Sequence, residues 1–432
     1  MDVAIVNAFE SLTGCFSARW ILPMMAPLLK EGWIRVEAGR IVERASGNRP
    51  DDCRDLGDCA LIPGLVNCHT HLEFSDFEKP LGRPGIELAD WIGEVVRSRQ
   101  QANVQSATPD SSMPDSPTPA SPTPESPTSI VLRRQQSIAA GLRESYAGGV
   151  RLVGEIVTFP WLTELPEEPI PEVIGFAETL GLSPERSAAT LQAAVEWFDS
   201  EDRPIAEGIS PHAPYSTQLN LVTTAAMYSL FRQIPLAMHL AESPAERELL
   251  ESGTGPFREA LERLGVWREG LFPQPKGILG LLEIIATASR FLLIHGNDLN
   301  AKEIAFLADQ DHGSVVYCPR THAYFQHAVH PLPALLEAGV RVGLGTDSRA
   351  SNPDLRLWSE IQSVHKTFPQ VPPETILRMA TQWGAEALGR QDCGRLTDGA
   401  KPGILRVDVS AATEPELWGK LLDAPEPRWL IS

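Results

Sequence analysis

Two histidines that lie one residue apart, His69 and His71, close the apolar stretch LIPGLVNCHTH. Alternate residues of a β-strand lie on the same face, so the two imidazoles would point the same way. Side by side, they could chelate one divalent cation. Two surface or core histidines would have the same spacing, so the pair alone does not establish a metal site.

Residues of the same chemistry follow later apolar stretches. His239 lies in PLAMHLAES with Glu242 three residues on, His295 ends FLLIH, and Asp347 follows RVGLGT. Three histidines and one aspartate suit Zn²⁺ or Fe²⁺ and leave room for a water. A lone histidine is more often a core residue, and an aspartate after Gly-Thr is often part of a turn. The recurrence of such residues nevertheless favours a metal site.

A scaffold must bring these distant residues together. Apolar stretches rich in β-branched residues alternate with segments of helical period, two of which begin at Ser183-Pro184 and Ser243-Pro244 caps. The predicted strands are Leu61–Cys68, Arg151–Val157, Glu172–Ala177, Ile205–Ser210, Pro235–Leu240, Phe291–Ile294, Ser314–Cys318 and Arg341–Gly345. Eight strand–helix units predict an α/β protein with a closed parallel (β/α)8 barrel, in which active sites lie at the C-terminal strand ends.

The two ends of the chain are predicted to form a small β-domain beside the barrel. Residues 16–60 contain short strands and turns, and the stretch from Gly394 to Val409 is similar, so both could pair into a β-sandwich. The predicted division is 1–60 for the N-terminal part of the sandwich, 61–390 for the barrel and 391–432 for the C-terminal part.

One segment interrupts the barrel. Between Ser106 and Ser129, 18 of the 24 residues are Ser, Thr or Pro. Such a stretch has almost nothing apolar to bury, which predicts a mobile, disordered loop. A proline-rich ligand for a partner is the functional alternative.

The composition of the chain disfavours some classes of binding partner. The chain has 37 basic and 56 acidic residues and a net charge of −19, which disfavours nucleic acid and anionic lipid. No apolar run is long enough to span a bilayer, and the N-terminus lacks the pattern of a signal peptide. The cysteines Cys15, Cys53, Cys59, Cys68, Cys318 and Cys393 form no C-x-x-C pair. We therefore expect reduced thiols and a cytoplasmic protein.

The motifs in their order resemble the amidohydrolase superfamily, in the branch with the cytosine, guanine and methylthioadenosine/S-adenosylhomocysteine deaminases and the chlorohydrolases. The motifs that carry the resemblance are PGLVNCHTHLE at 63–73, SPHAPYST at 210–217, HLAES at 239–243, IHG at 294–296, CPRTH at 318–322 and GLGTDS at 343–348. The segments SARWILP…GWIRVEAGRIVE and HLEFS look like the aminodeoxyfutalosine deaminases in particular. The resemblance implies a distorted TIM barrel with one metal ion, Zn²⁺ or Fe²⁺, and a terminal β-sandwich.

The same resemblance implies roles for individual residues. His69, His71, His239 and Asp347 would hold the metal, and Asp347 would also accept a proton from the attacking water. Glu242 would carry a proton from that water to a ring nitrogen and the leaving amine; its alternative is an acid that favours a helix N-terminus. His295 would polarise the water, or would only orient Asp347.

Three residues are candidates for substrate binding. Glu73 would face the pocket if its strand continues, and His212 matches a substrate-facing histidine of the related deaminases, with packing as its alternative. Arg320 departs from the CP-x-Ser-Asn of many relatives; it could bind a substrate carboxylate or form a salt bridge.

The predicted activity is the hydrolytic deamination of an amino-substituted heterocycle, a purine nucleoside-like compound such as aminodeoxyfutalosine. A chlorohydrolase, a cyclic amidase and a non-catalytic binding relative remain the alternatives. The predicted partner is a small-molecule substrate, and the sequence leaves the oligomeric state open, a homodimer included.

Overall fold

A computed structural model of the chain describes residues 12–104, 127–200 and 203–430. Of the Ser/Thr/Pro-rich segment 106–129, residues 106–126 lie outside the described residues, and a helix begins at Pro127. No described helix is both long and apolar enough to cross a bilayer.

Strands and helices alternate along most of the chain. The strands are β1 (Gly14–Ile21), β2 (Leu29–Glu37), β3 (Arg40–Ser46), β4 (Cys53–Asp55), β5 (Ala60–Pro63), β6 (Leu65–Thr70), β7 (Val150–Val157), β8 (Glu172–Thr179), β9 (Ala206–Pro211), β10 (Leu236–Leu240), β11 (Phe291–His295), β12 (Gly313–Tyr317), β13 (Val342–Leu344), β14 (Ile404–Val407) and β15 (Arg428–Trp429). The α-helices are α1 (Leu88–Val104), α2 (Pro127–Ala147), α3 (Pro184–Asp199), α4 (Leu219–Arg232), α5 (Pro244–Ser252), α6 (Pro256–Arg263), α7 (Gly277–Ile285), α8 (Ala301–Ala308), α9 (Pro319–Phe325), α10 (Leu332–Glu337), α11 (Leu357–Thr367), α12 (Pro373–Met379), α13 (Gln382–Ala387) and α14 (Glu414–Trp418).

The eight strands β6 to β13 form a parallel sheet in chain order, as the sequence predicted. The sheet curls until its two edge strands meet beyond β13. There the Asp347 N–H donates to the His69 carbonyl at 3.0 Å, and the Asn67 side chain donates to the Thr346 hydroxyl at 2.8 Å. The predicted (β/α)8 barrel is therefore confirmed, and its closure joins the segments that carry His69 and Asp347.

The predicted first strand, Leu61–Cys68, divides at Gly64. Residues before Gly64 pair with β14 in the terminal sheet, and residues after it pair with β7 in the barrel. A Cβ on Gly64 would lie 2.6 Å from the Arg151 Cβ and 2.8 Å from the Pro402 carbonyl oxygen. Only glycine therefore allows the chain to pass between the two sheets here.

Both ends of the chain contribute to a second, seven-stranded sheet of β1–β5, β14 and β15, as expected. Its residues alternate between two cores. Leu61 packs with Phe16 and Ile34 in the sheet's own core, whereas Ala60 and Ile62 pack into the core that also contains the barrel residues. This alternation fixes the small sheet against the barrel.

The expectation of six reduced cysteines is wrong for one pair. Cys15 and Cys53 lie opposite each other on the parallel strands β1 and β4, with 4.3 Å between their Cα atoms, and form a disulfide. The two cysteines are 38 residues apart in the sequence. They meet because of the register of β1 and β4, and the sequence spacing does not show that register. Cys59, Cys68, Cys318 and Cys393 are free and buried.

Candidate active site

The predicted metal ligands and catalytic residues meet at the C-terminal ends of the barrel strands. His69 lies on β6, His239 on β10 and His295 at the end of β11. His71 directly follows β6, and Asp347 lies in the turn after β13. His295 and Asp347 have positive φ angles of 71° and 57°, a conformation that costs non-glycine residues energy and is concentrated at functional sites. Four segments far apart in sequence thus converge on one point.

The donor atoms of these residues form two overlapping triads that share His69. His69, His239 and His295 form one, and His69, His71 and Asp347 form the other; within each triad, the donor atoms lie within 4.8 Å of one another. The Nε2 atoms of His71 and His239 are 3.2 Å apart, and Asp347 Oδ1 is 3.5 Å from His69 Nε2. The four predicted ligands therefore lie together, with His295 beside them.

The hydrogen bonding of the imidazoles fits a divalent cation. His69 Nε2 is buried and has no hydrogen-bond partner among the described residues. Nδ1 of His239, as an N–H group, donates to the His212 carbonyl at 2.9 Å, which leaves the Nε2 lone pair directed into the cluster. A buried nitrogen without a partner is costly unless a ligand satisfies it. The donor set therefore suits a metal ion such as Zn²⁺.

Burial and the neighbouring charges keep His71, His239 and Asp347 in the protonation states that bind metals. It holds the pKa values of His71 and His239 well below their usual range, and the neighbouring imidazoles lower them further. For Asp347, burial raises the pKa, but the interactions with His69, His295 and His71 outweigh it and hold the pKa below the usual range. Neutral imidazoles beside a carboxylate are the forms that coordinate a cation.

Glu242 lies at the edge of this cluster, in the turn between β10 and α5. Its Oε1 atom is 3.4 Å from Nε2 of His295, and the side chain is buried. Burial raises the pKa of Glu242 well above its usual range, and the negative charges of Asp347 and Glu246 add to the shift. A carboxyl group held protonated in this position can donate a proton to a bound molecule.

Glu246, a carboxylate that the sequence analysis did not single out, stabilises the turn that contains Glu242. Glu246 is fully buried, and its two oxygens accept hydrogen bonds from the backbone N–H groups of Ala241 at 2.8 Å and Glu242 at 3.0 Å. Ala241 has a positive φ of 55°. The spacing Ser243-x-x-Glu246 is that of a capping box, so the sequence contained a signal for this residue.

We expect Glu246→Ala to lower the free energy of unfolding by about 1–3 kcal/mol, because two buried N–H groups would lose their acceptor. The measurement is denaturant unfolding, with Glu251→Ala as the control, since Glu251 is an exposed residue of the same helix. Equal stability of the two variants would contradict the clamping role of Glu246.

A cavity of about 470 Å³ opens above the cluster. Its floor contains His71, His239, His295, Asp347 and Glu242. Its walls are mostly apolar and come from α1, from the segment after β8 and from the end of α6 and the loop that follows; they include Trp91, Val95, Leu182, Leu261 and Val266. The volume and the mixed lining are typical of a site for a small molecule.

Two of the three predicted substrate contacts lie at or beside this cavity. His212 lines it, and burial, with the nearby Arg99 charge, lowers its pKa to about 3. Glu73 lies behind the wall, where it pairs with Arg99 and accepts a hydrogen bond from the Thr158 hydroxyl at 3.1 Å. Arg99 itself lines the cavity, which the sequence analysis did not anticipate.

Arg320 is not brought to the cavity. Its guanidinium donates to Asp354 and Glu360, each at 2.6 Å, and its backbone N–H also donates to Glu360. The Glu360 side chain is fully buried. Of the two alternatives for this arginine, the structure shows the salt bridge.

We expect Arg320→Met to lower the free energy of unfolding by about 3–5 kcal/mol, because it leaves the buried Glu360 charge without a partner. The double variant Arg320→Met/Glu360→Met should recover part of that loss. Thermal or denaturant unfolding measures both. A single variant with normal stability and a raised KM would instead show that the arginine binds substrate.

The fold and the site define a (β/α)8 barrel with a set of side chains at its strand ends that suits a metal ion. Residues 60–424 match the Amidohydrolase family. The chain belongs to this family, as its motifs predicted, and is an enzyme that hydrolyses carbon–nitrogen bonds.

The relatives with similar sequences or folds include several deaminases. The chain is 27% identical to an aminodeoxyfutalosine deaminase of Deinococcus radiodurans over 369 residues, 80% of this chain and 79% of the relative. It is 28% identical to a 5-methylthioadenosine/S-adenosylhomocysteine deaminase of Syntrophobacter fumaroxidans over 366 residues, 82% of this chain and 73% of the relative. The fold resembles the crystal structure of Helicobacter pylori aminofutalosine deaminase in complex with methylthio-coformycin, with a TM-score of 0.76, 20% identity, and coverage of 97% and 98% of the two chains.

Proposed function

We propose that the enzyme removes the amino group from the purine ring of an adenine-type nucleoside and releases ammonia. The observation that carries the proposal is the placement of Glu242, a buried carboxyl group that lines the cavity beside the metal-ligand cluster and 3.4 Å from His295 Nε2. The deaminase names of the relatives support the same reaction. Aminodeoxyfutalosine and methylthioadenosine are the first substrates to test.

His69, His71, His239 and Asp347 would hold the resident ion, for which we propose Zn²⁺ because histidines dominate the donor set. When bound, such an ion lowers the pKa of a water from about 16 toward 7 and polarises the group under attack.

The proton steps use Asp347 and Glu242. A carboxylate oxygen of Asp347 accepts one proton from the attacking water, and Glu242 donates its Oε proton to the ring nitrogen next to the attacked carbon. The carbon–oxygen bond forms and the carbon–nitrogen bond breaks. The ring nitrogen keeps the proton from Glu242, and the amine takes the proton held by Asp347 and leaves as ammonia. The new hydroxyl group returns its remaining proton to Glu242 as it becomes the carbonyl. General acid/base catalysis of this kind contributes about 10²–10⁴-fold to a rate.

His295 and the apolar walls support these steps. His295 Nε2 lies within 3.4 Å of Glu242 Oε1 and orients the carboxyl group, while Trp91 and Val95 exclude bulk water above the floor. His212, which lines the same cavity, is proposed to contact the substrate, and Glu73 to hold Arg99 in the wall.

The test is product analysis in water labelled with heavy oxygen. The zinc-loaded enzyme should convert an adenine nucleoside to the hypoxanthine form, with one labelled oxygen for each ammonia released. Chloride release from a chloro-substituted ring without ammonia from any amino substrate would instead favour the chlorohydrolase alternative. The cytoplasmic location and a homodimer stay predictions.

A further inference from the structure

The backbone at His295 has a conformation that is unfavourable for a residue with a side chain. His295 has a φ of 71° and Gly296 a φ of 62°, so two consecutive residues at the end of β11 are left-handed. Glycine adopts this conformation freely, but for histidine it costs free energy. The direction of the His295 imidazole depends on this turn, because a side chain follows the orientation of its own Cα. Contacts from outside the turn must therefore stabilise it.

One such contact comes from His330, in the segment between α9 and α10. Its Nε2 atom lies 3.0 Å from the His295 carbonyl oxygen, in the interior of the protein. A carbonyl oxygen only accepts hydrogen bonds, so the Nε2–H group of His330 is the donor. Nδ1 of the same ring is buried and has no hydrogen-bond partner among the described residues. The bond to His295 is therefore the polar contact that orients the His330 ring.

The surroundings of His330 hold its ring in place. The side chain is 1% exposed and stacks on Tyr317 of β12, with 3.9 Å between the ring centroids and 25° between the ring planes. Burial lowers the pKa of His330 to about 3, so the ring stays neutral. Pro331 follows directly and favours an extended backbone at His330. His330 is thus a fixed, neutral hydrogen-bond donor.

His330 lies behind the wall of the cavity. The described lining includes His295 and Glu242 but not His330. On the cavity side, His295 Nε2 is 3.4 Å from Glu242 Oε1. His295 therefore connects a buried donor behind it to the carboxyl group that is proposed to transfer the proton. A displacement of about 1 Å at a catalytic group lowers a rate by up to about 10²-fold, so the donor behind His295 affects catalysis without touching the substrate.

We propose that His330 is a positioning residue for the reaction: its Nε2–H group binds the His295 carbonyl, stabilises the left-handed turn and so keeps His295 Nε2 against Glu242. The hydrogen bond, and not the packing of the ring, has this effect. Without the bond, His295 would turn away from Glu242 in part of the molecules, and fewer of them would present the carboxyl group to the ring nitrogen. The proposal rests on the proposed deaminase function.

Two substitutions separate the hydrogen bond from the packing. His330→Phe keeps a ring on Tyr317 but has no donor, whereas His330→Gln loses the ring but has an amide N–H group at the position of Nε2. With methylthioadenosine and zinc-loaded enzyme, we expect His330→Phe to lower kcat at least about tenfold and His330→Gln to stay within about threefold of the parent. KM should change little in either variant, because His330 does not line the cavity.

Two further variants exclude other causes. His330→Leu removes the donor in a smaller side chain and should lower kcat as His330→Phe does, which separates the missing donor from overpacking. His312→Phe is the matched control: His312 Nε2 also donates to a backbone carbonyl, that of Ala286 at 3.0 Å, but His312 precedes β12 at the opposite end of the barrel. It should keep the parent kcat. Zinc content should equal that of the parent in all four variants.

Kinetics measured well below the lowest melting temperature of the set decide the matter. A parent kcat in His330→Phe or His330→Leu overturns the inference, and so does a loss in His330→Gln as large as theirs. A loss of kcat that accompanies a loss of zinc, or a raised KM with an unchanged kcat, overturns it as well. In each of these cases, ammonia release by the parent leaves the proposed function intact. A parent enzyme that releases no ammonia from methylthioadenosine or aminodeoxyfutalosine overturns the proposed function itself.

Discussion

Glu242→Gln should lower kcat by at least about 10²-fold, the lower end of the effect of a positioned acid or base. Glutamine keeps the size of the side chain and can still face the ring nitrogen, but it has no proton to transfer. The cluster of His69, His71, His239 and Asp347 does not need Glu242, so metal content should be unchanged. Steady-state kinetics and metal analysis of the same preparation measure both effects.

Glu251→Gln is the control for this variant, since it makes the same chemical change on the exposed face of the adjoining helix. It should leave kcat, metal content and melting temperature at the parent values. If Glu242 instead serves only as an acid near the N-terminus of α5, Glu242→Gln would retain kcat and lose about 1 kcal/mol of stability or less. That result would show that Glu242 does not transfer a proton in the reaction.

His69→Ala should abolish both metal binding and turnover. His69 Nε2 is the one donor that belongs to both triads of the cluster, so its removal leaves two incomplete sets. We expect the parent to bind about one equivalent of zinc, as a mononuclear catalytic site does, and the variant to lose most of it. Elemental analysis after dialysis measures the metal, and ammonia release measures the turnover.

His365→Ala controls for the loss of any histidine, because His365 lies on α11 outside the cavity lining. It should bind metal and turn over as the parent does. A His69→Ala protein that keeps its zinc would show that the ion lies elsewhere, and one that stays active without metal would contradict a metal-dependent reaction.

Much of the fold and the site floor could be predicted because the pattern is local. Several barrel strands are short apolar stretches with a polar residue at or shortly after the C-terminal end, and the barrel places these ends at one mouth. His69, His239, His295 and Asp347 could therefore be grouped without contact information. The helix caps at Ser183 and Ser243 are also local, and both accept the expected backbone N–H.

Other features depend on contacts that the sequence does not show. Cys15 and Cys53 meet only because β1 and β4 pair in one register. From the sequence, Arg320 could pair with a carboxylate of the substrate or with one of the protein. Only the fold places Asp354 and Glu360 beside it. The walls and mouth of the cavity come from helices and loops between strands, whose positions no periodicity specifies.

The most direct test of metal-dependent deamination is ammonia release from methylthioadenosine and aminodeoxyfutalosine by one preparation of the enzyme in three states. The states are zinc-loaded, treated with a chelator, and reloaded with zinc. We expect the loaded enzyme to release one ammonia for each nucleoside consumed, chelation to abolish the release, and zinc to restore it. A zinc-loaded enzyme that releases no ammonia from either compound would contradict the proposed deamination, and a chelated enzyme as active as the loaded one would contradict its dependence on a metal.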